Sequence, residues 1–143
     1  IGYRMRGDNK NLIPMVVINT EVVSRIGHRF PDGCPSPNRV TLDIKVTTRD
    51  GKEIFQDTRI YMPQHKLGYD DNTMVYGANS KLTLLRDTSL HPFVPKKETI
   101  EVPLPDGVEE AVVEAVLTFR QLPGIPEAEF PIHTVTREVG LKR

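Results

Sequence analysis

One loop gathers most of the side chains in this sequence that could do chemistry. His28, Asp32 and Cys34 fall within seven residues of the segment Gly27 to Asn38, so an imidazole, a carboxylate and the only thiol share one short stretch of chain. That set suits a metal or haem ligand, or a Cys-His nucleophile pair. A cysteine nucleophile needs a base about 3 Å away and donors for an oxyanion, and Pro35 removes the next backbone N–H after Cys34. A single cysteine also excludes an internal disulfide, a Cys-x-x-Cys pair and covalent haem attachment through Cys-x-x-Cys-His within this chain. The ordinary reading of the same residues is a Pro-Gly loop capping one end of a domain, with His28 exposed and Cys34 packed.

The remaining candidates are weaker. Asp70-Asp71-Asn72 is acidic, but calcium takes about six to eight oxygens in a built loop, and three consecutive polar residues read as a solvated turn. His65, His91 and His133 are scattered and read as surface or partly packed histidines. Lys96-Lys97 is too short for a nucleic-acid patch and has no aromatic platform beside it. Lys plus Arg and Asp plus Glu are both 19, for a net charge of zero, which argues against nucleic acid as a partner. No apolar stretch approaches the ~20 residues needed to span a bilayer as a helix. The sequence begins at Ile1 with no signal-peptide pattern, as an excised domain or a mature fragment would.

The elements that must position these residues are mostly strands. The chain has 143 residues, 12 Pro, 10 Gly and no Trp, with 38% hydrophobic residues, which fits one β-rich domain better than a helical bundle. Residues 1–11 read as a linker or edge lead-in, and residues 12–143 as a single domain. Leu12 to Ile18 is continuously apolar, as in a strand buried on both faces, with Pro14 pulling its start toward an edge. Val40, Leu42, Ile44 and Val46 alternate with Thr41, Asp43, Lys45 and Thr47. Asp50-Gly51 is a hairpin signal, and Glu53 to Met62 is the partner strand. Residues 63–80 read as a long loop with a short helical turn. Lys81 to Arg86 and Thr99 to Leu104 read as strands, His91 to Pro95 as extended chain, and Thr134 to Thr136 as a last strand. Val108 to Leu122 fits either a helix face or a strand, and its neighbours favour the strand, with Val113, Leu117 and Phe119 on one side. The expected architecture is all-β, an immunoglobulin-like β-sandwich of six to eight antiparallel strands.

The pieces Met15 to Asn19, Gly27 to Gly33, Arg39 to Val46 and Asp50 to Phe55 form a pattern. A strand ending in Asn is followed by Gly-His-x-Phe-Pro-x-Gly, an alternating strand and an Asp-Gly-Lys turn. This resembles the C-terminal β-domain of bacterial multihaem c-type cytochromes. Asp87 to Leu90 and Val113 to Arg120 resemble later strands of the same domain, so the likeness covers about residues 12–122. It implies a non-catalytic domain that packs on a haem-bearing region in a periplasmic or extracellular electron-transfer protein. It also implies that His28 serves as an axial ligand to the iron of a haem c attached elsewhere in a longer chain. Cys34 and the Met62–Ser80 loop have no place in that pattern. The competing expectation is a secreted adhesion-type or carbohydrate-contacting sandwich without haem.

Overall fold

The computed structural model describes residues 2–5, 12–31, 38–66, 68, 73–75, 83–122 and 124–140. Cys34, Asp32 and Asp70-Asp71-Asn72 lie outside the described residues. The strands are β1 (Gly2–Met5), β2 (Leu12–Val22), β3 (Arg39–Thr47), β4 (Glu53–Tyr61), β5 (Pro63–Lys66), β6 (Met74–Val75), β7 (Thr83–Asp87), β8 (Lys96–Pro103), β9 (Glu110–Arg120) and β10 (Glu129–Gly140). Among the described residues there is no α-helix, only a 3-10 turn at Pro126–Ala128.

Two antiparallel sheets face each other, one ordered β1-β2-β8 and the other β10-β9-β3-β4. Three strands against four is the immunoglobulin-like arrangement that the turn spacing suggested. A third, small sheet, β6-β5-β7, is inserted between β4 and β8, beside the seven strands of the two facing sheets. It occupies part of the stretch read as a loop with a helical turn. Pro63–Lys66 instead pairs with Thr83–Asp87, a partner too distant in sequence for local pattern to show.

The β3–β4 hairpin forms as expected. Val40 pairs with Tyr61 and Ile44 with Asp57, and Gly51 closes the turn at φ +89°, where a side chain would be strained. Val40, Leu42, Ile44 and Val46 are all buried. Each contributes roughly 1.5–3 kcal/mol by leaving water. The segment that fitted either helix or strand is β9, paired along its length with β3, with Val113 buried and Leu117 and Phe119 packed against the core.

The core is one layer between the two sheets. Val16 and Ile18 of β2 and Ile100 and Val102 of β8 meet the β3 row, Tyr61 of β4, and Ala111 and Val113 of β9. The expectation that the Leu12–Ile18 run is buried on both faces is corrected here. Val16 and Ile18 are buried, but Val17 between them is 48% exposed. Among the described residues nothing covers the outer face of this sheet at Val17, so burial follows the pleat rather than the apolar run. His91 to Pro95 is also not simply extended. Phe93 takes φ +59° in a turn where the Val94 N–H donates to the His91 carbonyl at 3.3 Å.

Candidate functional site

The His28 loop is built at the sandwich end where β2 finishes and β8 begins. Beyond Val22 the chain is pinned twice. Ser24, which is buried, bridges to Pro92, and its carbonyl accepts from the Phe93 N–H at 2.8 Å. Phe30 bridges to Leu90 through a reciprocal pair, Phe30 N–H to Leu90 carbonyl at 2.9 Å and Leu90 N–H to Phe30 carbonyl at 2.8 Å. Phe30 also packs on Phe119 with ring centroids 5.2 Å apart, and Pro31 after it is buried. Arg25, Ile26, Gly27, His28 and Arg29, between the two pins, are all exposed. Gly27 has open space around its Cβ position, so the turn is set by the pins rather than by glycine.

His28 itself is exposed, and its Nδ1 lies 2.9 Å from the Arg29 carbonyl. Only an Nδ1–H can donate to a carbonyl. This contact therefore places a proton on Nδ1, and in the neutral ring that leaves the lone pair on Nε2, the orientation common among metal-binding histidines. The next residue ties the loop down from outside, because the Arg29 guanidinium pairs with the Asp87 carboxylate at the end of β7. Burial pushes the Asp87 carboxyl up. The Ser89 hydroxyl and N–H and the Arg29 charge outweigh that, and its pKa is held below the ordinary value.

The other histidines stand apart. His91 is exposed just past Leu90, His133 is exposed on β10, and His65 is half-buried on β5 with an unpartnered Nδ1. Among the described residues no group of three or more His, Cys, Asp and Glu is placed to hold a metal ion. The arrangement among those residues is therefore one imidazole on a pinned loop, not a self-contained metal cage.

Two groupings escaped the sequence reading. On the outer face of the four-stranded sheet, Arg120 of β9 donates from Nε to the Thr41 hydroxyl at 3.0 Å and from Nη2 to Asp43 Oδ2 at 3.2 Å. Its Nη1 pairs with Glu129 of β10, so one guanidinium ties three strands. Burial lowers its pKa, but the hydrogen bonds and charges of Glu129 and Asp43 outweigh that and raise it.

The second grouping lies between β4 and β8, where Arg59, Tyr61, Arg86, Lys96 and Glu98 line a cleft of about 550 Å³. Its sequence signal was a pair of charges, Asp57 and Arg59, at the core-facing phase of β4, opposite Ile44 and Leu42.

No family model, no curated protein and no solved structure matches this chain.

Proposed function

We propose that this chain is a non-catalytic β-sandwich domain of a periplasmic or extracellular multihaem c-type cytochrome. In this reading it packs through the His28 end on a haem-bearing region and lends that region an axial ligand. The observation that carries the proposal is the His28 loop. An exposed imidazole sits on five exposed residues held at both ends by backbone bridges, with Nδ1 committed to the Arg29 carbonyl. Axial ligation needs one nitrogen presented in a reproducible place, and second-contact hydrogen bonding of the other nitrogen fixes the ring. The haem would supply one-electron transfer. This chain's residues would hold the imidazole: Phe30 anchors the loop on Phe119, and Asp87 holds Arg29 beside the ligand.

The test is a titration of this chain into a ferric haem c peptide that has one axial position open. Conversion to a six-coordinate, low-spin absorption spectrum is expected. It should be lost in His28→Ala and kept in His91→Ala and His133→Ala. Equal spectra from all four proteins would overturn the assignment.

A further inference from the structure

We propose that the cleft between β4 and β8 is a binding site for a small oxyanion ligand, a molecule carrying a carboxylate or a phosphate. The site does not depend on His28. It lies on the flank of the sandwich where the edge strand of one sheet, β4, faces the edge strand of the other, β8, and where the inserted sheet contributes Arg86.

Among the described residues, two buried donors in the cleft make no full hydrogen bond. Tyr61 is only 1% exposed, and its hydroxyl makes no hydrogen bond. The Glu98 carboxylate acts on that hydroxyl through its charge and as a weak acceptor, short of a full hydrogen bond. Burial first, and the Glu98 charge second, push the Tyr61 pKa up to about 12, so the hydroxyl keeps its proton and stays a donor at any ordinary pH. The Nε of Arg59, two residues back on the same face of β4, is likewise buried and unpartnered, although its Nη2 pairs with Asp57 at 3.1 Å. Buried donors without partners are rare in folded proteins, because each costs about 1–3 kcal/mol.

Charge points the same way. Arg59, Arg86 and Lys96 line the cleft with one carboxylate, Glu98; because Arg59 is already paired with Asp57, the cleft keeps a net excess of one positive charge. Arg86 Nε donates to the neutral Gln64 Oε1 at 3.1 Å, and neither Arg86 nor Lys96 forms an ion pair among the described residues. A water molecule would satisfy the two donors but leave that excess of positive charge unanswered. An oxyanion satisfies both, since it accepts several charge-assisted hydrogen bonds at once. The volume of about 550 Å³ lies within the range of small-ligand pockets. It is too small, with too few cations, for a nucleic-acid strand.

The experiment is a nitrogen-15 NMR titration of this chain at low ionic strength with inorganic phosphate and, separately, with citrate. The two arms distinguish a phosphate from a carboxylate ligand. Saturable shifts confined to residues 58–61, 86–88 and 96–98 are expected with at least one probe. Arg86→Ala and Lys96→Ala should each weaken binding about tenfold or more. Tyr61→Phe, which keeps the ring in the core, should weaken it several-fold with the fold intact. Glu98→Gln, which removes the one opposing charge, should tighten it several-fold. Two results would overturn the proposal. One is no saturable shift with either probe. The other is shifts spread over arginines and lysines generally and unchanged in the Arg86→Ala/Lys96→Ala double variant.

Discussion

The two open flanks of the sandwich are closed in opposite ways. On one side β2 faces β10 across a cleft of about 630 Å³ lined mainly by apolar side chains, among them Ile18, Val22, Leu42, Ala115, Leu117 and Ile132. On the other, β4 faces β8 across the charged cleft, where Arg59, Lys96 and Glu98 stand at core-facing positions. Both flanks end a sheet, and an unpaired sheet edge is a hazard that charges on the inward face suppress. The β4 edge carries Asp57 and Arg59 for that purpose. The β10 edge carries Arg137 opposite Val113, together with a bulge between Pro131 and His133 that breaks its register. The first flank therefore lets the core thin out into an apolar cleft, whereas the second replaces the core by a polar one.

The largest effects should come from the core between the flanks. Ile44→Ala, at a fully buried position that lines neither cleft, should cost about 2–5 kcal/mol. Leu42→Ala should fall near the low end of that range, because Leu42 already borders the apolar cleft. Urea unfolding of the two variants checks this, and equal losses would mean that the cleft behaves as filled core. Arg120→Ala should follow at about 1–3 kcal/mol, since it leaves Asp43 and Glu129 without their shared cation. The same measurement reads it, and a loss below about 0.5 kcal/mol, as for an isolated surface pair, would reduce the cluster to one.

Smaller effects sharpen the polar side. Without ligand, Tyr61→Phe should leave stability unchanged or raise it by up to about 1 kcal/mol, because it removes an unsatisfied buried hydroxyl. A clear thermal destabilisation would show that the hydroxyl has a partner. Asp87 governs a modest acid dependence. Its folded pKa lies below the unfolded value of about 3.9, so its contribution is complete at about pH 5 and above. That contribution fades as pH falls through about 4 toward the folded pKa. Asp87→Asn should remove that part of the acid limb and speed amide exchange at Arg25 to Arg29, where its partner Arg29 anchors the loop. An unchanged exchange pattern would detach Asp87 from the loop.

What the sequence revealed was local, and what it hid was long-range. The β3 row of Val40, Leu42, Ile44 and Val46 and the Asp50-Gly51 turn are specified by period-two spacing and turn chemistry within about twenty residues. β10 was legible only as Thr134 to Thr136, because a one-sided edge strand that stays exposed for most of twelve residues carries little apolar period. The Leu12–Ile18 run misled because apolar content does not tell whether a second layer covers the outer face. His28 was singled out by the residue types of its loop. The charged cleft was not, since Arg59, Arg86 and Lys96 come from three strands that only the topology brings together.

The central claim is that the pinned loop exists to present His28. It is tested most directly in the longer polypeptide that the proposal requires, carrying both this domain and Cys-x-x-Cys-His haem sites. His28→Ala should convert one haem from low-spin to high-spin, shift its potential and leave the other haems unchanged, and added imidazole should restore the low-spin spectrum. Unchanged spectra and potentials at every haem, or a gene that encodes no haem-attachment site beside this domain, would contradict it.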